Sequence, residues 1–499
     1  MTDMQLQGHT SIKETRQGSS PTYVPLFVDL DGTLVKSDLF FESFLSRIRK
    51  DPLVVFRSLW WLVQGRARLK EALAEKHAVN VQTLPFNDAL LVYLREQAAN
   101  GRTLILATGS HRILAEAVAS HIGLFSSVIA TEGSVNMKGK TKLEAILGKT
   151  GGQPFDYAGN DKEDLLIWAS ARRAVVVGAS PLLRVLADQQ CIVEVAFPSD
   201  NPVRSLLTAI RPHQWLKNLL VLLPLLPSVS FTAVMPWIQA TIGFLAFCAL
   251  ASGTYLINDF LDLDADRAHP RKRHRPFASG SVAPAAGLAT SGVLVVVGIL
   301  LSLLLPPYFV VVAASYLALT LAYSIWLKTY MLADIMTLAG LYTLRVIAGI
   351  AAIGAPGSFW LLAFSMSVFF SLALVKRCTE LIMRDARGEG AASVRGYRVS
   401  DIGTLQALGI GGACVAVLVL ALYIHSPQVT ERLPTPELLW PICPIMLYWL
   451  GRLWIKTMRG EMHDDPLIFA ARDFASMVAA GTTVALFAAA ALVNHPRLI

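Results

Sequence analysis

Cysteine is scarce and scattered. The 5 cysteines among 499 residues, Cys191, Cys248, Cys378, Cys414 and Cys443, show no paired spacing. That excludes a zinc knuckle or a disulfide framework and suits a reducing compartment. Charge is scarce too: 16% charged against 54% hydrophobic residues excludes a single ordinary soluble domain. The N-terminus has no apolar core before Tyr23, so it does not read as a cleaved signal peptide; residues 1–20, rich in Ser, Gln, Gly and Thr, read as a disordered tail. The formal net charge of +8 invites nucleic acid, but the basic surplus falls in short loops between apolar runs, where membrane orientation explains it. No nucleic-acid role is expected.

What is present is two stretches written for different solvents. Residues 21–200 alternate short apolar runs, at Tyr23–Leu30, Thr103–Ala107, Ser127–Ala130, Asp156–Ala158 and Ala174–Gly178, with helical patterns such as Ile113–His121 and Lys142–Leu147. This predicts an α/β parallel sheet whose chemistry gathers at the carboxyl edge. Helical sequence over about 39–100 interrupts the alternation and predicts an inserted cap. Its Trp60 and Trp61 read either as cap core or, beside Arg66, Arg68 and Lys70, as a membrane-facing patch.

Residues 204–499 predict an all-α polytopic membrane domain of about nine spans, each near the ~20 residues that a bilayer requires. The spans centre near Leu219, Phe244, Val296, Ala314, Tyr342, Phe364, Ala416, Met446 and Ala485. The loops holding Arg267 to Arg275, Lys328, Lys376 to Arg398 and Arg452 to Arg472 are basic, whereas those near Val229, Pro306 and Pro356 carry no charge of that sign. The positive-inside rule therefore puts the basic loops and the N-terminal domain on the cytoplasmic side of a plasma membrane.

The stretch FVDLDGT delivers Asp29 and Asp31 at the end of an apolar strand. Residues two apart on an extended chain point the same way, so both carboxylates can meet one substrate and one Mg2+. Alone, this is equally an Asp-Gly turn. Three further features accompany it: a strand ending in Thr108 and Gly109, Lys142 opening a helix in GKTKLEAI, and YAGNDKEDLLIW with Asn160, Asp161 and Asp164. Together they resemble the haloacid dehalogenase superfamily over Tyr23 to about Ala187. The resemblance implies that Asp29 is a nucleophile forming an aspartyl-phosphate, that Asp31 is the general acid and base, that Thr108, Gly109 and Lys142 hold the phosphate, and that Mg2+ is bound by Asp29, Asp31, Asn160, Asp161 and Asp164. Asn160 stands where that family has an acid, with Asp161 available to compensate, and Lys140 competes for the role of Lys142.

After the second predicted span, YLINDFLDLDADRAHPRKRHRP places Asn258, Asp259, Asp262 and Asp266 on one helical face, with Asp264 off it. Their mutual repulsion is relieved by a divalent cation, and Mg2+ prefers carboxylates together with substrate phosphates. The pattern NDxxDxxxD resembles the UbiA prenyltransferase superfamily, whose members have nine transmembrane helices. Where that superfamily shows a second acidic motif, this chain has Tyr323, Lys328 and the lone acid Asp334, with Leu338 in place of another. RPHQWLKN supplies Arg211, Lys217 and Asn218; VKRCTELIMRDARGEGAASVRGY supplies Lys376, Arg377, Glu380, Arg384, Arg395 and Tyr397. The combination is similar to the decaprenyl-phosphate phosphoribosyltransferases of the superfamily.

That resemblance implies transfer of 5-phosphoribose from phosphoribosyl pyrophosphate to a polyprenyl phosphate, supplying arabinose-containing envelope polymers. Asp259, Asp262 and Asp266 would hold Mg2+. Arg211, Lys217, Asn218, Asn258, Arg275, Tyr323, Lys328, Asp334, Arg345, Lys376, Arg377, Glu380, Arg384 and Tyr397 would line the substrates. The N-terminal domain would remove the product's 5-phosphate, making the chain bifunctional, with room for a homo-oligomer. The rival readings are a prenyltransferase acting on an aromatic acceptor, a membrane-anchored phosphatase, and a non-enzymatic lipid carrier.

Overall fold

Short apolar runs can bury both faces only in a parallel sheet flanked by helices. A computed structural model of the chain, describing residues 24–50, 54–63, 80–132, 137–225, 233–388, 396–431, 433–462 and 465–493, shows this arrangement in the first of two units, residues 1–200. The expected N-terminal tail lies outside the described residues. Strands β1 (Leu26–Val28), β2 (Leu104–His111), β3 (Ser127–Thr131), β4 (Asp156–Gly159), β5 (Arg173–Ala179) and β6 (Ile192–Pro198) run parallel in the order β3-β2-β1-β4-β5-β6. The order reverses at β1, which pairs with both β2 and β4, so a crevice forms at its carboxyl end. Asp156 opens β4 but is structural: fully buried, it accepts from Arg102 and from Arg172 Nη2 at 2.7 Å.

Helices α1 (Leu39–Lys50) and α2 (Val54–Val63) follow β1 as the inserted cap. There Trp61 packs against Val54, whereas Trp60 is exposed. The expected cap boundary near residue 100 is too late. Helix α3 (Asp88–Ala99) buries Leu90, Leu91 and Leu94 in the same core as Leu26, Val28, Leu104 and Leu106, so it belongs to the α/β layer. Helices α4 (Arg112–Ile122), α5 (Lys140–Thr150), α6 (Leu165–Trp168) and α7 (Pro181–Gln190) complete that unit.

The second unit, residues 201–499, is helical throughout its described length. It comprises α8 (Pro202–Ile210), a 3-10 segment Pro212–Leu222, α9 (Val234–Leu261), α10 (Leu263–Ala268), α11 (Pro284–Ser302), α12 (Pro307–Ile325), α13 (Ala333–Ile353), α14 (Phe359–Asp385), α15 (Ile402–Ile424), α16 (Ile442–Met458), α17 (Pro466–Ala470) and α18 (Phe474–Leu492). Among the described residues 8 helices are long and apolar enough to cross a membrane: α9, α11, α12, α13, α14, α15, α16 and α18. The stretch around Leu219 differs from the expected span. Pro224 lacks an N–H and its ring opposes a helical carbonyl, and the residues before it adopt the tighter 3-10 form.

Helices α9 and α13 are the most enclosed of the spans and α18 the least. Val293, Leu300, Val311 and Leu418 stand exposed on outer helices, as lipid-facing residues must. Gly349 of α13 lets the 3-10 segment lie directly on the helix, since a Cβ there would overlap the carbonyl oxygen of Val221.

Candidate active sites

In the N-terminal unit, β1 stops at Val28 and the chain turns at Gly32, whose φ of +76° favours glycine and where a Cβ would overlap the Asn160 amide. This turn brings Asp29 and Asp31 to the crevice with different partners. Lys142 Nζ donates to Asp29 Oδ1 at 2.8 Å and to the Tyr157 hydroxyl at 3.0 Å, and that hydroxyl donates to Asp164 Oδ1 at 2.8 Å. Asp31 Oδ2 accepts from Ser110 Oγ at 2.6 Å and Thr108 Oγ1 at 3.3 Å, while its Oδ1 accepts from the Leu39 N–H at 2.8 Å. Gly109 is buried, its carbonyl accepting from Thr131 Oγ1 at 2.8 Å.

Lys142, not Lys140, is the lysine at this site: Lys142 is buried, and Lys140 is exposed and pairs with Glu144. Asn160 Oδ1 accepts from Thr33 Oγ1 at 3.1 Å. Asp161 does not join the cluster as expected. It is exposed and caps the turn Lys162–Asp164 through the Lys162 N–H, because an Asp before a helical turn satisfies a free amide there. Tyr157 and Ser110 are site residues that the motifs did not single out.

Burial drives the carboxyls of Asp29 and Asp31 above their usual range, ahead of the opposing pull of Lys142. Burial, then the Asp29 charge, raises Asp164 to about 6. Burial alone would lower Lys142, but Asp29 and Asp164 outweigh it and hold the ammonium charged. Two buried carboxyls, Asp29 and Asp164, thus share one lysine, with Asp31 beside them. Among the described residues no three His, Cys, Asp or Glu side chains form a metal-ligand group; Thr33 Oγ1 donates to Asp29 at 3.4 Å and to the Asn160 amide oxygen at 3.1 Å, which adds that oxygen to the crevice. Oxygen donors with uncompensated negative charge fit a hard divalent cation.

In the membrane unit, α9 ends at Leu261 and α10 restarts at Leu263, so the aspartate face is not one unbroken helix. The carboxylates divide accordingly. Arg211 Nη2 donates to both oxygens of Asp259 at 2.5 and 2.6 Å, and Arg275 Nη1 donates to Asp266 at 2.6 Å and to Asp259 at 3.3 Å. Asp262 instead accepts from Lys328 Nζ at 2.7 Å and from Asn258 Nδ2 at 3.1 Å. Asp264 is exposed. The donors are hard oxygens suited to Mg2+, each carboxylate being held meanwhile by a cation.

Asp334, at the start of α13, is fully buried; it accepts from Arg377 Nε at 2.5 Å and the Tyr397 hydroxyl at 2.6 Å. Arg377 also binds Glu380 and donates to the Tyr323 hydroxyl at 3.2 Å. Arg377, expected to line the substrates, is thus held among protein acceptors. Arg384 is half-buried on the last turn of α14.

Deeper in the bundle, Arg345 donates to Asn218 Oδ1 at 2.9 Å and to the Tyr316 hydroxyl at 3.0 Å. Lys217 Nζ donates to Asp465 Oδ2 at 2.6 Å, with Lys376 Nζ 3.6 Å from the same oxygen. Asp465 was missed in the sequence. Burial opposes its ionisation, yet the charges of Lys217 and Lys376 hold it down to about 2. Its one sequence signal, an acid before Pro466, reads as a helix cap, and it does accept from the Leu467 N–H.

Comparison with known proteins assigns both units. A family model described as the UbiA prenyltransferase family matches residues 221–465, and one described as haloacid dehalogenase-like hydrolase matches residues 26–153. An uncharacterized protein of Sinorhizobium fredii, y4nM, is 36% identical over 457 residues, 90% of this chain and 88% of that one. The chain carries a UbiA prenyltransferase family domain at its C-terminus. It carries a haloacid dehalogenase-like domain at its N-terminus and is a multi-pass inner membrane protein. A decaprenyl-phosphate phosphoribosyltransferase of Mycolicibacterium smegmatis is 37% identical to this UbiA protein over 197 residues, 39% of this chain and 62% of that enzyme. A solved UbiA homolog from Archaeoglobus fulgidus, bound to GPP and Mg2+, aligns at a TM-score of 0.44 and 14% identity over 57% of this chain and 99% of that one.

Proposed function

We propose that the UbiA unit transfers 5-phosphoribose from phosphoribosyl pyrophosphate to the phosphate of a polyprenyl phosphate. The observation that carries this reading is the 37% identity to a decaprenyl-phosphate phosphoribosyltransferase. The charge pattern supports it: Asp334 is committed to Arg377 and Tyr397, leaving one acidic face, while cations stand around that face to meet a phosphate-rich donor. An oxygen of the lipid phosphate attacks the anomeric carbon, the carbon–oxygen bond to pyrophosphate breaks, and pyrophosphate departs. The acceptor is already anionic, so no protein base is needed. Arg211, Arg275 and Lys328 exchange carboxylate oxygens for those of the leaving pyrophosphate as its charge grows. Mg2+, held by Asp259, Asp262 and Asp266 with the Asn258 amide, would supply charge neutralisation on the pyrophosphate when bound.

The haloacid dehalogenase-like unit is proposed as a phosphatase for the 5-phosphate of that lipid. An Asp29 carboxylate oxygen attacks phosphorus and expels the ribose oxygen, which takes a proton from Asp31. Water, deprotonated by Asp31, then releases inorganic phosphate from the aspartyl-phosphate. Lys142 holds Asp29 and a phosphate oxygen, and Mg2+ would bind at Asp29, Asp31 and Asn160. The loop charges support cytoplasmic placement of both sites, and fusion on one chain keeps the local concentration of the phosphatase on the order of mM for a short linker.

The test supplies membranes with phosphoribosyl pyrophosphate labelled in the ribose, followed by lipid extraction. Label in the lipid fraction, dependent on added polyprenyl phosphate, is expected. No lipid label overturns the transferase reading, and a lipid that keeps its 5-phosphate equally in the intact protein and in Asp29→Asn overturns the phosphatase substrate.

A further inference from the structure

Arg345 lies well inside α13 and is buried, yet among the described residues no carboxylate pairs with it. Its guanidinium donates to Asn218 Oδ1, to the Leu341 carbonyl at 2.7 Å and to the Tyr316 hydroxyl. An unneutralised guanidinium inside a membrane bundle is expensive and marks a functional position. One residue from Asn218, Lys217 meets Asp465, and Lys376 shares that same carboxylate. The Tyr342 ring joins the two halves: its centroid is 5.7 Å from Lys217 Nζ and 5.6 Å from Arg345 Cζ, and its hydroxyl donates to Asp465 Oδ2 at 3.4 Å.

The cluster therefore sets three cations against one acid, an excess of two positive charges. Its hydroxyls and amide offer further hydrogen-bonding groups at the same place. The aspartate face of α9 and α10 is balanced instead, three carboxylates against three cations. A ligand that matches an excess of two positive charges and accepts hydrogen bonds on every side is a phosphomonoester dianion.

We infer that Lys217, Arg345 and Lys376 form a phosphomonoester subsite in which Asp465 is the resident counter-ion that the incoming dianion displaces. This rests on the transferase reading for which phosphate arrives: the terminal phosphate of the lipid acceptor or the 5-phosphate of the donor. Asp465 keeps the two lysines from facing one another unpaired between turnovers, and losing it frees both ammonium groups for the ligand. A counter-ion and an essential acid thus predict opposite effects of its removal.

The experiment measures direct binding to the full chain in nanodiscs by calorimetry, with geranyl phosphate, ribose 5-phosphate and geraniol as probes. Geranyl phosphate binding assigns the subsite to the acceptor, ribose 5-phosphate binding assigns it to the donor, and binding of geraniol as tight as that of geranyl phosphate overturns it. Lys376→Met, at a half-buried position, is expected to weaken phosphomonoester binding on the order of tenfold or more. Asp465→Asn is expected to tighten it several-fold, and the charge-neutral pair Lys217→Met with Asp465→Asn to weaken it while keeping the fold. Unchanged binding in Lys376→Met, or weaker binding in a folded Asp465→Asn, overturns the subsite. Binding needs no turnover, so these variant effects without lipid labelling retain the subsite and reject the transferase reading.

Discussion

Asp29 and Asp164 share one buried lysine and Asp31 is held by hydroxyls and an amide, whereas Asp259, Asp262 and Asp266 are met by Arg211, Arg275 and Lys328. Both sets end an apolar element, and both suit phosphate chemistry. They differ in the solvent behind them. In a water-facing crevice, surplus negative charge can be relieved by a proton, as the raised carboxyls of the first site show. At the edge of a bilayer an unpaired carboxylate costs several kcal/mol, so the protein itself provides a cation for each. A polyphosphate substrate then enters by exchange of partners and not by filling a bare acidic hole.

This contrast breaks most completely at Asp29. Asp29→Asn should lower phosphate release by the full chain on the order of 10⁴-fold or more while lipid labelling continues. Equal loss of both activities would show that the sites do not work separately. Next in size, Asp262→Asn should lower transfer on the order of 10²- to 10³-fold with the protein still inserted. Near-normal turnover of the purified variant at limiting Mg2+ would contradict the aspartate assignment.

The paired character of the membrane site is sharpened at Arg377. Arg377→Ala leaves Asp334 buried without its cation and should destabilise the UbiA unit by about 3–5 kcal/mol, read as thermal unfolding in detergent. Replacing Asp334 by Ala as well should restore most of the loss. A transfer defect with unchanged stability would instead return Arg377 to the substrate.

The smallest effect is a pH slope in the first unit. Asp164 takes a proton at about 6 when folded against 3.8 for the free side chain. Between those values the folded state holds the extra proton, so stability falls as pH rises through the window and levels off above it. The share of Asp164 is at most about 3 kcal/mol, and Asp164→Asn should lessen the slope by that share. A slope of the opposite sign, or one untouched by the substitution, would place the raised carboxyl elsewhere.

Legibility followed the kind of signal each residue carries. The aspartates of α9 and α10 were readable because helical spacing repeats in the sequence itself, and β1 because an apolar run ends in acids. The edge strand β6 was not, since it pairs on one side only, its ends are exposed and its half-buried middle includes Glu194. Asp161 looked like a ligand because sequence proximity to Asp164 does not reveal which carboxylate turns inward; the backbone amides of Asn160 and Asp161 are taken by Asp164. The 3-10 segment was hidden by composition, which is apolar enough for a span while Pro224 interrupts its hydrogen bonding. Asp465 shares no period with Lys217, 248 residues away, so only folding reveals the pair.

Gly349 faces the backbone of Val221, not a substrate, and the segment pressed against it also carries Lys217 and Asn218. The depth at which an ammonium and an amide enter the bundle is thus gauged by a side chain missing from another helix. A single added methyl would push that segment outward as a piece and lift both groups together. Mutational surveys would then score a silent-looking glycine as a ligand-affinity position, although no charge and no hydrogen-bonding atom had been altered.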